Sequence, residues 1–150
     1  MNYTKCDFTP IIGAEVKIRI EKGSLYNGKL LGGEKNKHRL ANFDVLAVRT
    51  REFGLIHFVS PSGIVSVKAT MKPKDMNQEQ LHRLAEEIAM EHYGDRYDGI
   101  ESITFNFDER GELSDEICVD LRGMTPEDGF VLDPNRPVDV THWLKEDDHA

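Results

Sequence analysis

In "EVKIRIE", residues 15–21, Val16, Ile18 and Ile20 alternate with Glu15, Lys17, Arg19 and Glu21. A period of two marks a strand with one face buried and the other wet. "EKGS" comes next as a tight turn, with Gly23 free to take a positive φ. "LYNGKLLG" reads as a second strand, and Gly28 inside it predicts a bend or bulge. "FDVLAVRT" and "FGLIHFV" make a third and fourth strand across a short polar link at Arg51–Glu52. The break Ser60-Pro61-Ser62-Gly63 then leads to a fifth, "IVSVKA". Five short strands with no helix between them predict a small antiparallel barrel over residues 1–72.

The period then changes. Pro73 discourages helix before it, and Asp75 or Asn77 can cap a helix starting just beyond. Leu81, Leu84, Ala85, Ile88, Ala89 and Tyr93 fall on one helical stripe, with Gly94 as the stop. "ESITFNF" places Ile103, Phe105 and Phe107 on one face of a strand, and "LSDEICVDL" does the same for Leu113, Ile117, Val119 and Leu121. "DERG" joins the two as a hairpin, so residues 73–123 predict one helix packed on a β-hairpin. Past Gly123 the pattern dissolves, and residues 124–150 read as an irregular, acidic, Pro-containing arm. The fold class expected is α+β.

Charge sharpens this division. Residues 1–75 hold thirteen Lys/Arg against seven Asp/Glu, and residues 76–150 hold six against twenty, so a net −8 divides into +6 and −14. Two units of opposite sign have different partners or attract each other. No apolar run approaches the roughly 20 residues a membrane helix needs, and the start has no apolar leader, so the expectation is a cytoplasmic protein. Cys6 and Cys118 are the only cysteines, and they read as reduced thiols.

Residues 14–69 resemble the Sm/LSm family of small SH3-like barrels. The likeness rests on "VKIRI", "KGSLYNGKLLG", a polar loop, "VLAVRT" and "GLIHFVSPSGIVSVKA" in that order. Gly23, Tyr26, Gly28 and Leu30 fill the family's first motif, and Ser60 to Ile64 stand at its second. The resemblance implies a five-stranded barrel and assembly into a ring or smaller homo-oligomer, and to a lesser degree the family's binding of uridine-rich RNA. The family's RNA-reading residues are replaced here by "GGEKNKHRL" and "SPSG", which leaves Asn36 and Arg39 as the nearest substitutes.

The candidate chemistry is a cluster of cations on an acidic chain. Lys35, Lys37, His38 and Arg39, with Asn36 among them and Lys29 close by, could hold phosphates while Tyr26 stacks a base. The alternative is a solvated loop. Arg49, Arg51 and His57 either extend the same basic surface or act as edge-strand charges. His82 and Glu86 share an i, i+4 spacing without a third ligand, so no metal site is expected. Neither a nucleophile–His–acid set nor a phosphate-cradling P-loop is present, and no cofactor is expected. The expectation is therefore non-catalytic binding of a nucleic acid or nucleotide. The rival is an acidic protein-binding inhibitor or adaptor, of the immunity or anti-defence type, acting through its second half.

Overall fold

The computed structural model describes residues 1–35, 43–51 and 54–146. The described residues form nine strands in two antiparallel sheets and one α-helix. The chain divides into two compact units, Met1–Met71 with Val138–Ala150, and Lys72–Pro137.

The first unit holds β1 (Glu15–Ile20), β2 (Leu25–Lys35), β3 (Phe43–Thr50), β4 (Ile56–Val59), β5 (Ile64–Met71) and β9 (Val138–Asp139). They form one sheet in the order β4-β3-β2-β1-β5-β9. The alternation read from sequence holds in β1, where Val16 and Ile18 are buried while Lys17 and Arg19 are exposed. Gly23 sits at φ +84 and lets the chain reverse into β2.

Gly28 differs from its expected role. The ladder runs through it without a slip, pairing it with Val16 and with Thr50. The irregularity comes two residues later, between Leu30 and Gly32. Gly28 instead permits a close approach, because a Cβ there would lie 1.9 Å from the Arg49 carbonyl oxygen. No other residue fits without moving β3 away from β2.

The buried side of this sheet packs Leu30, Leu46, Val48, Val59 and Ala69 against side chains from both chain ends. Phe8 and Ile11 come from residues 1–14, where the chain forms two 3₁₀ turns (Tyr3–Lys5 and Thr9–Ile11). Val140, Trp143 and Leu144 come from the other end. Fully burying each large apolar side chain contributes about 1.5–3 kcal/mol. The hydrogen-bonded ladders do not close this sheet, for β4 is left as one edge and β9 as the other.

The second unit begins with α1 (Gln78–Tyr93), started by Asn77 in a reciprocal capping box with Gln80. The Gln80 amide donates to Asn77 Oδ1 at 2.8 Å, and the Asn77 amide donates to Gln80 Oε1 at 3.0 Å. Gly94 ends the helix at φ +53. Leu81, Leu84, Ala85 and Ala89 are buried, as the stripe requires, while Ile88 and Tyr93 are half-buried. The second sheet is β6 (Ile100–Phe107), β7 (Leu113–Leu121) and β8 (Phe130–Leu132), in that order, with α1 against β6.

Residues 124–150 are not an irregular arm throughout. They supply β8 to the second sheet and β9 to the first. Apolar alternation over two or three residues is too short to register as a strand in sequence, yet β7 and β5 each offer an open ladder. The hairpin face also differs from expectation. Phe105 and Phe107 are 40% and 65% exposed, although Ile117, across the ladder from Phe105, is buried. For Phe107 the reason is the reach of β8, which pairs only Ile117 to Val119 and leaves the hairpin tip two-stranded.

Candidate binding surface of the first sheet

Period-two alternation gives each strand of the first sheet one outward row. Lys17 and Arg19 stand on that row of β1, Lys29 on β2, Arg49 on β3 and Lys68 on β5, all exposed. Antiparallel register then decides which of them meet. Lys17 lies directly opposite Lys68, and Lys29 directly opposite Arg49. Like charges facing across a ladder destabilise it, so this sheet carries two unfavourable pairs on one face. Among the described residues none of these five cations has an ion-pair partner.

Two carboxylates share the face. Glu15, next to Lys29 in the ladder, is taken up by Arg51, which donates from Nη2 at 3.0 Å and Nε at 3.2 Å. Asp139 sits on β9 at the far edge, opposite Thr70. The Thr141 backbone N–H at 2.9 Å, then the Thr141 hydroxyl, hold the Asp139 carboxyl below the usual aspartate value, with Lys68 and His142 adding to this. Glu15 thus stands inside the face and offsets one flank of the Lys29–Arg49 pair, Asp139 lies at the edge, and Lys17 opposite Lys68 has no acid directly across from it.

A cleft of about 420 Å³ opens beside this face, lined by Leu25, Tyr26, Asn27, Thr50, Arg51, Leu55 and His57. The Tyr26 and His57 rings meet at 5.2 Å between centroids, tilted by 47°. Leu25, Asn27 and Arg51 belong to the cleft wall and also to the outward rows, whereas Tyr26 and His57 come from the opposite side of the sheet, in register with Ile18 and Val48. An aromatic pair, two leucines, an amide and a hydroxyl offer a planar ring both stacking and hydrogen-bonding partners.

The residues expected from sequence divide accordingly. Tyr26 and Lys29, three apart on β2, point to opposite faces, and Tyr26 is brought to His57 rather than to Lys29. Lys35 is the last residue of β2, and Asn36, Lys37, His38 and Arg39 lie outside the described residues. Arg49 is not an edge charge, since β3 lies between β2 and β4. Sequence reasoning left out Lys17, Arg19 and Lys68 as site residues. Their outward placement was readable from the alternation of β1 and β5, but the register that sets Lys17 beside Lys68 was not.

Elsewhere the chemistry is quiet. His82 Nδ1 and Glu86 Oε1 are 3.3 Å apart on the exposed side of α1, and no group of three metal-binding side chains occurs among the described residues. Cys6 and Cys118 are free, and burial followed by the nearby Glu146 pushes the Cys6 thiol up to about 11. The Tyr97 hydroxyl, in the second unit, is buried without a hydrogen-bond partner, and burial, then Glu86, raises its pKa. Among the described residues no helix is long and apolar enough to cross a membrane. No protein-family model, curated protein or solved structure matches the chain.

Proposed function

We propose that the first unit is a non-catalytic binding module for a phosphate-bearing ligand, a nucleic acid or nucleotide. One observation carries this reading: Lys17 opposite Lys68 and Lys29 opposite Arg49, unpaired on one exposed face. A bound polyanion turns both repulsions into attractions, since each phosphate can sit between two cations. With strands about 4.8 Å apart and residues rising about 3.3 Å, the two pairs lie about 12 Å from each other. That separation suits a chain of phosphates better than a single one. The cleft at Tyr26 and His57 would take a base from the same ligand.

The fold belongs to the same proposal. The order β4-β3-β2-β1-β5 and the tight approach at Gly28 support an SH3-like barrel of the Sm kind, with homo-oligomeric assembly as its corollary. The test is equilibrium binding of labelled single-stranded and duplex oligonucleotides and of nucleoside triphosphates at low salt. Binding to at least one class is expected, weakened about tenfold or more in a Lys17→Ala, Lys29→Ala, Arg49→Ala, Lys68→Ala chain. A parallel Lys35→Ala, Lys37→Ala, Arg39→Ala chain measures what residues 35–39 contribute. If no class binds, or if neither variant weakens binding, the reading fails.

A second reading has its own observation. Phe107, 65% exposed, stands beside Asp108, Glu109 and Glu112 at the tip of the β6–β7 hairpin. An aromatic side chain ringed by carboxylates suits a cationic protein surface with an apolar pocket. Neutralising those three acids would abolish capture of such a partner and leave oligonucleotide binding intact.

A further inference from the structure

The two edges of the first sheet are treated differently. At β5 the far ladder is occupied from Ala69 to Met71: Met71 and Thr70 pair with Val138 and Asp139, and the Val140 N–H donates to the Ala69 carbonyl at 2.9 Å. The Ala69 amide in turn donates to the Thr141 hydroxyl at 2.9 Å. The exposed Lys68 next to this stretch is the kind of charge that discourages strand addition. At β4 neither device is present. Ile56 to Val59 contains no Lys, Arg, Asp or Glu, and no described strand lies beyond it.

The ladder fixes which backbone groups are open there. The Thr50 N–H donates to the Leu55 carbonyl at 2.9 Å, and Val48 and Leu46 stand opposite His57 and Val59. Alternation along an antiparallel pair therefore turns the N–H and C=O groups of Ile56 and Phe58 away from β3. Their side chains lie on the outward face, Ile56 45% and Phe58 74% exposed, with Leu55 beside them at 55%. Unpaired peptide groups alternating with bare apolar side chains are the ingredients of strand addition.

We infer that β4 pairs antiparallel with β4 of a second copy, about a twofold axis at His57, giving a dimer. Ile56 then faces Phe58 of the other copy on both sides of the axis, and the four open N–H and four open C=O groups satisfy one another. A second copy fits better than a foreign strand because the pairing is self-complementary: the same two residues supply donors, acceptors and apolar cover to each other. The occupied ladder at Ala69 to Met71 leaves a head-to-tail ring only Ile64 to Lys68 of the β5 edge, a stretch that ends on the exposed Lys68. Charge does not oppose the seam, since the first outward cation from it, Arg49, is one strand in on each copy. The two Arg49 positions are then about 16 Å apart, beyond a Debye length at physiological salt. A four-residue seam is small beside the ~800 Å² per partner of a standard interface, so the dimer belongs to the weak, concentration-dependent class. Leu55 and His57 line the cleft and also flank the seam, whereas Lys17, Lys29, Arg49 and Lys68 lie off it, so the mass measured without oligonucleotide and the binding measured in the four-alanine chain fail separately.

The experiment is sedimentation equilibrium on the full chain from about 5 to about 500 μM. The mass should rise from 17.1 kDa towards twice that value and go no further. Phe58→Lys, at an exposed position that the fold does not bury, should raise the dissociation constant at least tenfold. In a Cys118→Ser background, His57→Cys should form an intermolecular disulfide, because the axis puts the two 57 positions in a non-hydrogen-bonded pair about 4.5 Å apart. A single-chain mass throughout, growth beyond two chains, association indifferent to Phe58→Lys, or a dimer that does not cross-link would each overturn the proposal.

Discussion

The first unit covers its sheet with chain ends, whereas the second covers its sheet with a helix. In the first, Phe8 and Ile11 from one terminus and Val140, Trp143 and Leu144 from the other complete the core. The strands themselves then need to donate only one face to burial, and the outward rows are free to carry charge. In the second, Leu81, Leu84, Ala85 and Ala89 supply the apolar stripe from a single local element. The charge differs in the same way. Residues 72–137 hold seven Lys/Arg and seventeen Asp/Glu, while the cations of the first sheet gather on one face. A long-range core and a local core should respond differently to perturbation, and charge on a shared face differs from charge spread over a surface.

The largest expected effect falls on the long-range core. Trp143→Ala should cost the first unit about 3–5 kcal/mol, since it empties a buried position that covers the sheet. Urea unfolding followed by far-ultraviolet circular dichroism should show the strand signal lost early and the helix signal kept. Simultaneous loss of both would contradict two separable cores. Next comes Gly28→Ala, at about 2–4 kcal/mol, because the added methyl meets the Arg49 backbone and not a side chain that can turn away. Calorimetry should find the first unit's transition lowered; an unchanged transition would mean that β2 and β3 do not approach as described.

The local core is probed by Asn77→Ala, which removes the capping box and should cost about 1 kcal/mol, read as an earlier loss of helix. A shift in the first unit instead would contradict the division. The smallest effect concerns acid. The Asp139 pKa is lower folded than unfolded, so its contribution is present above the ordinary aspartate value and is lost as pH falls through the lowered one. Stability of the first unit should therefore decline below about pH 4, and less steeply in Asp139→Asn. Identical acid curves for the two chains would remove Asp139 from the account.

Much of this architecture was legible in the chain. Alternation located β1, β6 and β7, turn and break signals bounded β2 to β5, and the helix, its cap as Asp75 or Asn77 and its Gly94 stop were marked by residue type. The features that escaped are those set by partners distant in sequence. β9 is two residues long and exists because β5 offers Thr70 and Met71 to it. Phe107 stays exposed because β8 stops short of the tip. The site obeys the same rule. "EVKIRIE" places Lys17 and Arg19 on the wet side of a strand, but nothing local says that Lys68, some fifty residues on, becomes the neighbour of Lys17. Clustering in sequence drew the eye to residues 35–39, while the exposed cations of the described fold cluster through register.

The most direct test of that clustering is the salt dependence of oligonucleotide binding. For each phosphate neutralised on a single strand, the slope of log K against log salt is about −0.7. Two phosphates seated on the two like-charged pairs predict a slope of at least about −1.4, and Lys29→Ala with Arg49→Ala should reduce it by about one phosphate's share. A slope near zero, or one that the double substitution leaves unchanged, would contradict a cationic sheet face as the site.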